Sequence, residues 1–154
     1  MATNTLGTLE TLLAASTRLV RLSAQRTGSP VTSATWTVLS VLASEGPHRA
    51  GDLARLARIS HPGMTRVVQH LVHDEWVMRV ADVEDSRAWL LVITDKGRHA
   101  LLDWRRELAE AMADVFTGLS AHEWSALDPA AEILANRVSR AEEQAGADLA
   151  GSAA

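Results

Sequence analysis

Ser60-His61-Pro62-Gly63-Met64-Thr65-Arg66-Val67-Val68-Gln69-His70-Leu71-Val72-His73, with Trp76-Val77-Met78-Arg79 and Asp85-Ser86-Arg87 after it, decides how this chain is read. Met64, Val67, Val68 and Leu71 recur at helical spacing and form one apolar face. His61, Thr65 and Gln69 form the opposite row, flanked by Pro62, Arg66 and His73. Ser60 is an N-cap by type, and Pro62 is tolerated in a first turn whose amides have no intrahelical partner. Upstream, Leu53, Leu56 and Ala57 mark the inner side of a short helix at about 50–57, and Ile59 falls in the turn. Downstream, 76–81 and 87–93 are rich in Val, Trp, Leu and Ile, with the polar Asp82-Val83-Glu84-Asp85-Ser86 between them. That pattern predicts a β-hairpin.

Helix, tight turn, helix and hairpin in direct succession are the plan of a winged helix-turn-helix. A helix that enters a DNA major groove buries one face and offers small or polar groups on the other, its first turns nearest the bases. Gly63 and Thr65 are small enough for close approach, Arg66 can bond guanine or a phosphate, and Gln69 can pair with adenine. The N-terminal amides of this helix and of the one before it can hold phosphates. Arg87, at the hairpin tip, suits a narrow minor groove, where negative potential is concentrated. Asp85, two residues earlier, could pair with Arg87 and hold its angle. Each feature alone also fits an amphipathic surface helix or an exposed hairpin ion pair. Their adjacency favours the DNA-binding reading.

Gly46-Pro47, Gly51-Asp52-Leu53-Ala54, Ile59 to Val68, Leu71, Trp76-Val77-Met78-Arg79, Asp85-Ser86-Arg87 and Ile93-Thr94-Asp95-Lys96-Gly97 together resemble the multiple-antibiotic-resistance repressor (MarR) family. These motifs cover about a third of the chain, and the helix order agrees over roughly residues 5–145. The wing pattern, Asp-x-Arg followed by Ile-Thr-x-x-Gly, is the more specific part. The resemblance implies a homodimer built by the first and the last two helices, with each winged lobe reading half of a pseudo-palindrome in double-stranded DNA. It also implies a small, often phenolic or aromatic, effector that binds between the dimer helices and the DNA-binding lobes and releases the DNA. Two positions depart from the family pattern. Glu75 stands where glycine is common, which suggests a different helix exit, and Ser86 stands where arginine is frequent.

The rest of the chain is helical by periodicity. Residues 6–26 carry Leu6, Leu9, Leu13 and Val20 at helical spacing, with Leu12 and Leu19 beside them, and Gly28-Ser29-Pro30 ends that helix. Thr32 or Ser29 can cap a second helix through Trp36, Leu39 and Leu42 to about Ser44, stopped by Gly46-Pro47. Thr94 can cap a long helix to about Phe116, with Leu101, Trp104 (or Leu102), Leu108, Met112 and Val115 inward. Ser120-Ala121-His122-Glu123 is a capping box, with Leu119 and Trp124 as its staple. The last helix places Trp124, Leu127, Ala131, Leu134 and Val138 on one face and is expected to fray after about Ala145. The fold class is therefore mainly α with a small β-hairpin wing and about six helices. Residues 1–154 are read as one domain, with 31–94 as the winged lobe and 5–28 and 95–145 as dimerisation helices.

Composition sets the outer limits. A chain of 154 residues with 47% apolar content can bury a real core. No cysteine is present, so disulfides and cysteinyl metal sites are excluded. No secretory signal or membrane-length apolar run is visible, and the chain is read as a soluble cytoplasmic protein without a membrane partner. The net charge of −4 is unevenly spread: residues 48–106 carry +2 and residues 107–154 carry −7. Within 48–73 four arginines stand against Asp52 alone. A local basic face can hold phosphates on an acidic protein, because screening confines fields to about 8–10 Å.

Other chemistry is thin. His70 and His73 have a spacing that can hold a metal, but no carboxylate motif completes a site, and no metal or cofactor is expected. Nucleophile elbow, P-loop, dinucleotide fingerprint and HExxH are all absent, so the chain is not read as an enzyme. Trp36 and Trp104 could wall an effector pocket, and Arg18 with Arg21 could face an anion in it. Core packing for the tryptophans and surface pairing for the arginines are the alternatives. The expectation is a transcriptional repressor. The rival is a winged-helix module that binds another protein, which should show aromatic or aliphatic anchors where His61, Thr65, Arg66, Gln69 and Arg87 stand.

Overall fold

The computed structural model describes residues 5–28, 31–83, 85 and 87–151, with side chains as far as residue 144. Six α-helices and three short strands follow one another: α1 (Thr5–Thr27), α2 (Ser33–Ser44), β1 (His48–Arg49), α3 (Ala50–Leu56), α4 (His61–His73), β2 (Val77–Ala81), β3 (Trp89–Ile93), α5 (Asp95–Met112) and α6 (Ala121–Gly151). They pack as two units. One gathers α1 with Asp103–Thr117, and the other gathers Val31–Leu102 with α6.

The core of the second unit is built from the periodic residues of its helices. Leu39, Leu42, Leu53, Met64, Leu71 and Leu91 are fully buried. Fully burying a leucine contributes roughly 1.5–3 kcal/mol, so this cluster is the main stabilising term of the lobe. In α3 the inward pair is Leu53 and Ala54, while Leu56 and Ala57 are only half-buried. Helix starts follow side-chain chemistry. Thr32, rather than Ser29 (which lies outside the described residues), caps α2 and accepts from the Thr35 amide. Ser60 caps α4, its Oγ accepting from the Gly63 amide at 3.3 Å.

The sheet has three strands in the order β1-β3-β2, all antiparallel. Sequence periodicity shows two of them. His48–Arg49 is too short to give a pattern and becomes a strand only because Leu90 and Leu91 lie opposite it.

Three helix ends differ from expectation. The α5 helix stops at Met112 and continues as a 3-10 turn, Ala113–Phe116, where Val115 is exposed. The α6 helix runs to Gly151 instead of fraying near Ala145, through an alanine-rich segment of high helix propensity. Glu75, expected to alter the exit of α4, takes the left-handed conformation that glycine would supply, with φ +61°. The Trp76 amide donates to the Leu71 carbonyl and the Glu75 amide to that of Val72, the paired bonds of a Schellman cap. Arg58 does the same after α3, with φ +52° and the Ile59 amide on the Ala54 carbonyl.

Within the first unit, the Arg26 guanidinium pairs with Asp114 and donates to the Ala111 carbonyl at 3.0 Å. Of the α1 side chains only Ser23 is buried. The capping box of α6 forms as expected: the Ser120 amide donates to Glu123 Oε2 at 2.7 Å, and the Glu123 amide to Ser120 Oγ. Those bonds hold the Glu123 carboxyl below the ordinary carboxylate range. Along α6 the expected inward residues Trp124, Leu127, Leu134 and Val138 are exposed. Among the described residues no helix is long and apolar enough to cross a membrane.

Candidate nucleic-acid interface

The α4 helix presents two faces of opposite character. Met64, Val67, Val68 and Leu71 are buried, while His61, Thr65, Arg66 and Gln69 are exposed. The fold positions that exposed row from both ends. At the start, Ser60 caps the helix and Arg58 makes the left-handed turn from α3. At the far end Glu75 reverses the chain, and its carbonyl accepts from Thr94 Oγ1 at 2.7 Å. Two non-glycine residues in left-handed geometry thus flank α4, each at a cost of about 1–2 kcal/mol.

Gly63 has a role within the fold. A Cβ built there would come within 2.9 Å of Ile59 Cγ2 and 3.1 Å of Ser60 Oγ. Its lack of a side chain therefore serves the packing of the turn and the cap, on the side away from the exposed row. Thr65 Oγ1 donates to the His61 carbonyl at 3.0 Å, so the hydroxyl is already engaged.

The wing is anchored at its base. Thr94 caps α5 by accepting from the Gly97 amide at 3.0 Å, and the Thr94 amide donates to the Trp76 carbonyl. A Cβ on Gly97 would stand 2.1 Å from that same carbonyl oxygen, which explains the Ile-Thr-x-x-Gly pattern. Trp76 stacks on the buried Trp36 with ring centroids 5.4 Å apart. Halfway along the wing, Asp82 is 8% exposed and accepts from Arg49 Nε at 2.7 Å. This pair ties β1 to the wing and raises the Arg49 guanidinium further above its ordinary range. Sequence reading placed Asp82 in the polar tip and gave Arg49 no partner. Only the three-stranded register brings them together.

At the tip, Asp85 acts on Arg87 through the backbone. The Arg87 amide donates to Asp85 Oδ1 at 3.0 Å, and the Ala88 amide to the Asp85 carbonyl at 2.8 Å. The expected side-chain ion pair is replaced by an Asx turn, which leaves the guanidinium exposed and, among the described residues, without a carboxylate. Ser86 lies outside the described residues.

Charge pairing sorts the arginines of the lobe. Arg49 pairs with Asp82 and Arg55 with Asp52. Among the described residues Arg58, Arg66, Arg79 and Arg87 carry no such partner. Arg79, missed by the sequence reading, lines a shallow cleft of about 200 Å³ with His61, Thr65 and Gln69 of α4 and with Ala50 and Gly51.

The remaining candidates lie on other elements. Arg18 and Arg21 are exposed on α1, and Trp104 is half-buried on α5. His70 sits edge-on to Trp76 and 3.5 Å from Asp74. No cluster of three metal-ligating side chains occurs among the described residues.

Comparison with known proteins gives a consistent picture. Residues 31–89 match the model of the MarR family. The chain is 31% identical over 120 residues to the HTH-type transcriptional regulator Mb0904 of Mycobacterium bovis, covering 75% of this chain and 84% of that one. It is 29% identical to the HTH-type regulator YpoP of Bacillus subtilis over 49% of this chain, and spans only 53% of that protein's length. In fold it resembles the transcriptional regulator Tm0710 of Thermotoga maritima, with a TM-score of 0.68 at 22% identity over 88% of this chain and 96% of that one. It also resembles BpsR of Bordetella bronchiseptica, whose DNA binding is regulated by 6-hydroxynicotinic acid, with a TM-score of 0.54 at 23% identity over 88% and 96%.

Proposed function

The chain belongs to the MarR family of transcriptional regulators, and on that premise we propose that it is a dimeric repressor released from a pseudo-palindromic operator by a small aromatic effector. The observation that carries this reading is the exposed polar row of α4 with a wing-tip arginine, Arg66 and Arg87 pairing with no carboxylate among the described residues.

In this reading His61, Thr65, Arg66 and Gln69 meet bases and phosphates in the major groove. Thr65, its hydroxyl engaged, would meet a thymine methyl through its own methyl group. Ser60 and Gly63 set the start of the helix, and Asp85 fixes the backbone from which Arg87 reaches the minor groove. Exposed apolar residues on α1 and α6 support a dimer, in which two α4 helices would lie about 34–36 Å apart, one turn of DNA. Regulation of BpsR by an aromatic acid supports an effector of that class here, with Arg18, Trp36 and Trp104 as the first pocket residues to test. A coupling of about 1–3 kcal/mol between effector and DNA would suffice.

The test is fluorescence anisotropy on a labelled duplex taken from DNA flanking the gene, against a scrambled duplex, across a salt series. Preference for the native duplex, with affinity falling steeply as salt rises, is expected. Equal weak binding to both, joined by capture of a protein partner on α4, would replace this reading with that of a protein-interaction module.

A further inference from the structure

The wing has an inner face, and its chemistry changes along the strands. In the β2–β3 register Val77 lies opposite Ile93, Arg79 opposite Leu91 and Ala81 opposite Trp89. Side chains two apart share a face, so these six form one side of the sheet. At the base Val77, Leu91 and Ile93 are buried in the core of the lobe. Farther out the same face emerges with Arg79 and Trp89 exposed, the indole at 58%.

Two facts orient this emergent face. Arg79 shares a cleft with His61, Thr65 and Gln69, the exposed row of α4. Trp89 is two residues from Arg87 and two register pairs beyond Arg79, the next position on this face. The guanidinium has no carboxylate among the described residues, whereas Arg49, on β1 opposite Leu90, is neutralised by Asp82. An isolated exposed cation next to a polar helix row fits a polyanion. An exposed indole beside it offers an N–H donor and a flat apolar face to the sugar-phosphate edge.

We infer that Arg79 and Trp89 extend the DNA-binding surface from the wing tip on to the inner face of its sheet, Arg79 on a backbone phosphate and Trp89 against the adjoining sugar. The inference rests on the proposed reading of the lobe as DNA-binding. Such contacts hold the wing in register on the duplex without reading sequence.

The test uses the full chain and a duplex selected from a random 24-base-pair pool, with a scrambled duplex alongside. Arg79→Ala should weaken both duplexes by about tenfold and lower the salt slope by about 1, with sequence preference retained. Arg79→Lys should restore most of the slope. Trp89→Ala should weaken both about threefold and leave the slope unchanged. In protein labelled with 5-fluorotryptophan, the fluorine resonance missing from Trp89→Phe should move when duplex is added. Unchanged affinity and slope in folded Arg79→Ala, or a Trp89 resonance unmoved at saturation, overturns the inference while the DNA-binding reading stands. Failure of the wild type to enrich any duplex overturns both.

Discussion

The winged lobe and the two long helices α1 and α6 are made from similar proportions of apolar residues, yet they use them differently. In the lobe, Leu39, Leu42, Leu53, Met64 and Leu71 are out of water within a single chain. On α1, Leu13 is 69% exposed, and on α6 Val138 is 53% exposed, though both sit on regular apolar stripes. The lobe completes its own core. The stripes of α1 and α6 have the form of surfaces that need another surface, and exposed stripes of this length are otherwise a liability. The difference teaches that helical periodicity reports which residues will be buried without saying whether the same chain buries them.

The comparison can be broken most forcefully in the lobe. Leu71→Ala removes a fully buried side chain from α4 and should cost about 2–5 kcal/mol, read as a fall in the urea midpoint. If it proves neutral, the lobe core does not carry the stability assigned to it. Charge on the helical stripes should act on assembly instead. Leu13→Glu and Val138→Glu should each weaken self-association about tenfold or more, measured by sedimentation, with the melting of the isolated lobe signal little changed. Loss of folding without a change in association would place these residues in an intrachain core.

Gly63→Ala sets two effects against each other. Alanine favours a helix by about 1 kcal/mol, whereas the clash with the β-branched Ile59 costs about 1–3 kcal/mol, so net destabilisation is expected in thermal melts. Stabilisation would show that the turn yields. Glu75→Gly should do the reverse, raising stability by about 0.5–1 kcal/mol as the left-handed strain is relieved. Glu75→Ala, which keeps the strain and loses the 2.8 Å link to Lys96, should fall below the wild type.

The smallest effect is an acid dependence. Lys96 holds the Glu75 carboxyl below its ordinary range, and Ser120 holds that of Glu123 there too. Each carboxylate binds its proton less tightly when folded than when unfolded. Its contribution is therefore present above the ordinary carboxylate range and lost as pH falls through it, from about pH 5 downwards. Helix content followed by circular dichroism should decline more gradually with acid in Glu123→Ala than in the wild type. Identical acid profiles would remove the capping box from the account of α6.

Much of the fold was legible because the decisive signals are local. Ser60, Thr94 and Ser120 announce helix starts through bonds that span three residues, and the buried face of α4 is written in four residues. The candidate site was legible where it lies on that helix and at the wing tip. It was not legible at Arg79, whose place beside α4 depends on how the strand packs, nor at Asp82, which looks like any polar turn residue until Arg49 meets it. Asp85 was expected to pair with the Arg87 guanidinium, whereas it accepts from the Arg87 amide.

By itself, then, the sequence determined the order of elements, the apolar face of each helix and the chemistry of the exposed row on α4, because periodicity, caps and turns act over a few residues. The tertiary structure alone decided that Glu75 and Arg58 take left-handed turns, that His48–Arg49 becomes a strand, and that Gly63 and Gly97 are required by Ile59 and the Trp76 carbonyl. These outcomes depend on the approach of groups that only packing brings within reach, and packing can impose a local strain of about 1–2 kcal/mol when a larger core is buried in return.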